Sequence, residues 1–284
     1  MKNITLNNGV EMPMLGIGTF NLSPDQAERS VTAALKAGCR LIDTANAYVN
    51  ERAVGRAIRK SGVAREELFV TTKLWVSEYS RAEKAIDETL GRLGLDYVDL
   101  LLLHQPYGDY LHAYKALEDA LKSGKVRAIG LSNFYEEKFS QVMKVARIAP
   151  AVLQNEMHPY HQEKDMKSYL RQFGTVQEAW FPLGGRDNVR TLLRDRTIAE
   201  IAEATGKTPA QVVLRWENQS DIVVIPGSAD ERHIEENLDI LYFELSKDEM
   251  SRIDALESRR FYQFSDRQAE AMFTSWRPDF EGQK

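Results

Sequence analysis

The sequence predicts a (β/α)8 barrel, and three observations carry that prediction. Short apolar runs recur with amphipathic stretches between them, eight such runs are found, and 284 residues is a length that one closed barrel fills. The competing architecture is an open doubly wound sheet. It is weakened because no GxGxxG follows any run; Gly16-x-Gly18 is only a fragment of that fingerprint. One domain over residues 1–284 is expected.

Taken in order, "ITLNNGVEM" reads as a hairpin outside the repeat, with Asn8-Gly9 supplying the positive φ angles of a tight turn. The eight strand candidates are "MPMLGIG", "RLIDTA", "LFVTTKL", "VDLLLLH", "VRAIGLSN", "AVLQNE", "VQEAW" and "IVVIPGS". The run "VDLLLLH" is near-continuously apolar, which suits a buried parallel strand in either architecture. The first helix is framed by Ser23 as N-cap, Pro24 in the first turn and Gly38 after the last periodic residue. Further helices are expected at "RAVGRAIRK", "RAEKAIDETLGRL", "AYKALEDALKSG", "EEKFSQVMKVAR", "DMKSYLRQFG", "TIAEIAEATG" and "TPAQVVLRWENQ".

Composition narrows the partner. Thirty-seven Lys plus Arg against 42 Asp plus Glu give a net charge of −5, which leaves no electrostatic footprint for nucleic acid or an anionic membrane. A small molecule is the expected partner, with no metal site. The single cysteine, Cys39, fits a reducing compartment, and its place between Gly38 and Leu41-Ile42 makes it a buried, inert thiol. The N-terminus lacks an apolar signal region and no run is long enough to span a membrane, so a cytoplasmic protein is expected.

In a barrel, reactive side chains belong at the C-terminal ends of strands, where rigid structure meets solvent. Those ends carry Asp43 with nearby Tyr48, then Lys73, His104, Ser132-Asn133, Gln154 and Trp180, and last the "PGS" of Pro226 to Ser228. Singly, each has an ordinary explanation: Asp43 as a turn cap, Lys73 snorkelling at the rim, His104 as a satisfied core histidine. Together they form one chemistry. An ammonium at Lys73 would lower the pKa of the Tyr48 phenol, ordinarily about 10, and Asp43 would keep that ammonium charged. Tyr48 then serves as general acid and a neutral His104 polarises a carbonyl oxygen. No side chain supplies a hydride, so a nicotinamide cofactor is implied. Ser132, Asn133 and Gln154 suit its carboxamide and Trp180 its ring face.

The chain resembles the aldo-keto reductases, in particular bacterial members similar to 2,5-diketo-D-gluconate reductases. The resemblance runs through "LNNGVEMPMLGIGTF", "LIDTANAY", "TTKLW", "LLLLHQP", "GKVRAIGLSNF", "QNEMHPYHQ", "EAWFPLG", "TPAQVVLRW" and "VIPGSADERHIEENLDI". It implies a (β/α)8 barrel, usually monomeric, with a C-terminal tail near its mouth, reducing aldehydes and ketones with NADPH. The implied catalytic tetrad falls on Asp43, Tyr48, Lys73 and His104. Cofactor contacts are implied at Gly18, Thr19, Phe20, Asp43, Ser132, Asn133, Gln154, Trp180, Pro182, Leu183, Gly184, Ile225, Gly227, Ser228, His233, Glu236 and Asn237. The substrate wall is implied at Phe20, Trp75, Tyr107 and Trp276, with Tyr48 and His104 at its polar end.

Departures from the family pattern bear on the cofactor. Phe181 replaces a serine that helps hold the pyrophosphate, Tyr114 a tryptophan, and Val49 the glycine after the tyrosine. Gly227 and His233 stand where NADP-using relatives place a lysine and an arginine for the 2′-phosphate. Ser228 and Glu231 form an Ser-x-x-Glu capping pattern that puts carboxylates at the helix start, with Arg232 as a substitute cation. A shift towards NADH is expected. Two other classes compete: a cofactor-binding auxiliary subunit of an ion channel with the same fold, and a Schiff-base aldolase acting through Lys73.

Overall fold

The computed structural model describes residues 2–283; Met1 and Lys284, the ends of the expected span, lie outside the described residues. Strands β1 (Asn3–Thr5) and β2 (Glu11–Pro13) form the antiparallel hairpin, Ile4 opposite Met12. Its turn differs from expectation. The Gly9 N–H donates to Leu6 O at 2.9 Å, so Asn7 and Asn8 are the central turn residues, and of the expected pair only Gly9 has positive φ (85°). This is the three-residue geometry in which a left-handed glycine follows a turn.

Barrel strands follow as β3 (Gly16–Gly18), β4 (Leu41–Asp43), β5 (Phe69–Leu74), β6 (Val98–Leu103), β7 (Val126–Ser132), β8 (Val152–Glu156), β9 (Val176–Trp180) and β10 (Val223–Val224). They pair in parallel and in chain order. A parallel bridge between Leu15 and Val224, with Val224 N donating to Met14 O at 3.1 Å, joins the first strand to the last. The eight runs expected from sequence are these eight strands, and the protein is a (β/α)8 barrel.

Side-chain alternation decides what enters the barrel. Leu41, Phe69, Leu100, Leu102, Ala128, Val152, Val176 and Val223 pack together inside, and Leu6 and Met12 of the hairpin join them. Stepping along each strand by two leads from these to Asp43, Thr71 and Lys73, His104, Ser132, Gln154 and Glu178. The inward stripe therefore changes from apolar to polar towards the C-terminal mouth.

The helices are α1 (Pro24–Lys36), α2 (Glu51–Ser61), α3 (Ala82–Leu93), α4 (Tyr110–Lys122), α5 (Glu136–Met143), α6 (Lys164–Leu170), α7 (Gly185–Leu193), α8 (Arg196–Thr205), α9 (Pro209–Gln219), α10 (Glu231–Leu238), α11 (Lys247–Asp254) and α12 (Asp266–Ser275). Ser23 caps α1 with Gln26 in a reciprocal capping box, and Thr208 with Gln211 does the same for α9. Sequence periodicity missed α7, α10, α11 and α12, the start of α10 being expected from its capping pattern alone. The expected Ser228–Glu231 box is also corrected: Asp230 is the N-cap of α10, accepting from Arg232 N, while Ser228 Oγ accepts from Asp230 N. Cys39 is buried and burial pushes its thiol up to about 11, so it is inert as expected.

Candidate functional site

At the mouth, β4 ends on Asp43 and the chain enters a 3-10 turn, Asn46–Tyr48. Asparagines lock this loop. Asn46 Oδ1 accepts from Trp75 N at 3.0 Å, and Asn50 Nδ2 donates to Thr19 O at 3.0 Å. Val49 takes the left-handed conformation (φ 56°, ψ 35°) that a glycine would accept without strain. The loop thus delivers Tyr48 over the end of β5.

There Lys73 Nζ uses three donors. It donates to Asp43 Oδ1 at 2.5 Å, to Thr44 O at 3.0 Å and to Tyr48 Oη at 3.3 Å, with Lys73 fully buried. Burial by itself would lower the ammonium's pKa, but Asp43 and Tyr48 outweigh it and hold it above its ordinary value. Burial likewise pushes the Asp43 carboxyl up against the pull of Lys73. The expectation for Tyr48 is corrected: Lys73 does pull its pKa down, but burial is stronger and takes it up to about 12. The phenol keeps its proton across the physiological range. His104 is held well below its ordinary value, first by burial and then by the Lys73 charge, so the imidazole is neutral; its buried Nδ1 has no partner. Its ring lies 5.6 Å from that of Tyr48 and 5.1 Å from that of Trp75, both edge-on.

A cleft of about 1220 Å³ opens above these groups. That exceeds the span typical of drug-sized ligands, roughly 300–1,000 Å³. Gly18, Phe20, Asp43, Tyr48, Trp75, His104, Tyr107, Ser132, Asn133, Gln154, Trp180, Pro182, Leu183, Ile225, Gly227, Ser228 and Trp276 all line it. The backbone approaches closely at its floor: a Cβ on Gly227 would sit 2.9 Å from Gly18 O. A cleft of this volume with glycines where the backbone closes in, an aromatic face at Trp180 and a hydroxyl at Ser132 fits a dinucleotide beside a carbonyl compound.

Other expected contacts are placed differently. Thr19 is fully buried with its hydroxyl on Asp43 O, and Gly184 lies behind the lining. His233, Glu236 and Asn237 lie on α10 outside the lining, and Glu236 Oε1 accepts from Thr208 Oγ1 at 2.5 Å. Both amide hydrogens of Asn133 are spent, on His104 O and Ser132 Oγ, while its Oδ1 accepts from the Trp180 indole at 3.0 Å. Asn133 therefore aims Trp180. The amide nitrogen of Gln154 is also spent, on Asp43 and Glu178.

Sequence reasoning missed Glu178, Tyr262 and the α12 side chains Ala269, Met272 and Phe273 that line the cleft beside the expected Trp276, and it gave Phe181 no place in an aromatic wall. Phe181 packs between Phe20 and Tyr262 with tilted rings, at centroid separations of 5.7 and 5.2 Å. Glu156 anchors the preceding stretch of tail by accepting from Phe261 N at 2.6 Å and from Tyr262 N. Two signals were available: a glutamate at an inward position of "VQEAW", and Ser265-x-x-Gln268 before an amphipathic stretch.

A barrel whose mouth joins a phenol, an ammonium and a neutral imidazole beneath a dinucleotide-sized cleft falls in the class of barrel oxidoreductases. Comparison with known proteins makes this specific. Residues 14–258 match the model of the Aldo/keto reductase family. The chain is 45% identical to morphine 6-dehydrogenase of Pseudomonas putida, over 90% of this chain and 91% of that protein. It is 46% identical to glyoxal reductase of Bacillus subtilis, over 89% and 92% of the two chains. Among solved structures, an aldo-keto reductase from a Medee basin deep-sea metagenome library superposes with a TM-score of 0.90 at 39% identity, covering 93% of this chain and 98% of that one. The chain belongs to the aldo/keto reductase family and is an oxidoreductase that reduces carbonyl compounds with NAD(P)H.

Proposed function

We propose that Tyr48 is the proton donor of this reductase, that His104 holds the substrate oxygen, and that NADH is used at least as well as NADPH. The observation that carries the first part is the Lys73 ammonium, fixed by Asp43 and Thr44 with its third hydrogen on Tyr48 Oη. A proton leaving the phenol leaves a tyrosinate next to a cation held in place beforehand, so little reorganisation is needed as charge develops. Neutral His104 donates one hydrogen bond to the same carbonyl oxygen, polarising its carbon. A nicotinamide, when bound, would supply the hydride. Trp180, aimed by Asn133, and Ser132 would hold its ring, and the loop from Phe181 to Leu183 would lie over its pyrophosphate.

Lys73 is poorly suited to imine formation, since its lone pair is protonated and all three hydrogens are engaged. Phe20, Trp75, Tyr107 and Trp276 give the carbonyl end an aromatic wall, which suits small to medium aldehydes and α-dicarbonyls; similarity to a glyoxal reductase supports the latter. Tyr48→Phe tests the donor. The variant is expected to lose at least about 100-fold in kcat while cofactor affinity stays near wild type, because only the transition state uses the hydroxyl. Retained turnover overturns the assignment.

A further inference from the structure

Beside Asp43, Lys73 and Tyr48 lies a carboxyl that the proton chemistry above does not use. Glu178, fully buried on β9, faces Gln154 of β8 in register. The Gln154 amide nitrogen donates to Glu178 Oε2 at 2.7 Å and to Asp43 Oδ2 at 2.9 Å, linking the two carboxyls through one side chain. Glu178 Oε1 is buried and has no hydrogen-bond partner among the described residues. Lys73, the cation that acts on both, touches Asp43 from the opposite side, at Oδ1. Two buried carboxylates facing one ammonium would leave a net negative charge in the barrel, so the carboxyl without the direct ion pair keeps its proton.

We propose that Glu178 is a positioning residue of the reductase site: protonated, it holds Gln154 against Asp43, and on ionising it places a second negative charge beside Lys73 and Tyr48 that makes the phenol a poorer proton donor. The charged and titratable groups acting with Glu178 are Asp43 from β4, Lys73 from β5 and Tyr48 from the turn after β4; β8 presents the neutral Gln154 and β10 the apolar Val223 and Val224. Burial, then Asp43, raise Glu178 to about 8, with Gln154 and Lys73 pulling the other way. Tyr48 stands at about 12 and does not ionise in this range, so the alkaline limit on turnover falls to Glu178. The inference rests on Tyr48 being the donor.

The test pairs Glu178→Gln, which keeps shape and removes the ionisation, with wild type over roughly pH 6 to 10. Wild-type kcat is expected to fall by about tenfold per unit on the alkaline side. The variant is expected to stay within about threefold of wild type at neutral pH and to lose that limb. Superimposable profiles, or a folded variant inactive at every pH, overturn the proposal. A readout independent of turnover is the infrared carbonyl band of protonated carboxyls in the cofactor-free protein, recorded in a Glu217→Gln background because Glu217 is a second buried glutamate held protonated. A band that titrates near 8 and vanishes in Glu178→Gln supports the assignment; no such band overturns it even if Glu178→Gln fails to fold. A titrating band in a protein whose Tyr48→Phe variant still turns over leaves Glu178 protonated but overturns the donor reading on which its role depends.

Discussion

The indole N–H of Trp75 donates to the backbone carbonyl of Trp276 at 3.3 Å, and the two rings meet nearly at right angles with centroids 4.9 Å apart. One residue follows β5 and the other ends α12, so the C-terminal tail is a wall of the cleft at the barrel mouth. Beyond Trp276 the tail is tied down again: Glu281 pairs with Arg52 at 2.7 Å and with Arg92 at 2.9 Å.

Removing the chain after Arg267 is therefore expected to open the pocket. It takes away Phe273, Trp276 and Glu281 together, and KM for bulky aldehydes should rise about tenfold or more while a two-carbon dicarbonyl changes by about threefold at most. Steady-state kinetics with a size series of carbonyl compounds checks this. Equal effects on all sizes would remove the tail from substrate selection.

Lys73→Met is expected to leave Asp43 as an uncompensated buried carboxylate and to cost about 3–5 kcal/mol of stability. Adding Asp43→Asn should recover most of that loss without restoring turnover, since the tyrosinate still lacks its cation. Thermal unfolding and kcat of the two variants separate the roles; a double variant that regains activity contradicts the coupling.

For the cofactor, Arg232 is expected to contribute little to phosphate binding, because it lies exposed with its guanidinium on Asp230 at 3.0 Å. His233→Arg should improve kcat/KM with NADPH by about tenfold and leave NADH within about twofold, the gain of one charged phosphate contact. Gly227→Lys is the poorer choice, as its Cβ would press on Gly18 O at 2.9 Å. A large wild-type preference for NADPH at neutral pH refutes the NADH reading.

Val49→Gly is expected to stabilise the protein by about 1 kcal/mol, since a β-branched residue in the left-handed region costs more than the extra backbone entropy of glycine. Calorimetry reads this as a higher Tm. An unchanged or lower Tm would mean that contacts of the valine side chain offset its backbone strain.

The strands, the first helix with its cap and the inward placement of Asp43, Lys73, His104, Ser132 and Gln154 were legible in the sequence, because alternation and capping are local and every parallel strand end faces the same mouth. Only tertiary structure decided what those polar ends do to one another. The phenol's pKa depends on burial outweighing a neighbouring ammonium, which no motif records, and Tyr48 goes up where the sequence argued down. Gln154 and Asn133 suit a cofactor by residue type, but only the fold shows that their amide hydrogens meet partners 111 and 29 positions away, Asp43 and the His104 carbonyl. Glu178 was hidden for a related reason: a lone glutamate in "VQEAW" acquires meaning only when β8 lies beside it and carries an amide to a second carboxyl. The tail's role came last, since α12 has a readable cap but packs through Trp276 against Trp75, 201 residues away, and sequence periodicity names a helix face without naming what it meets.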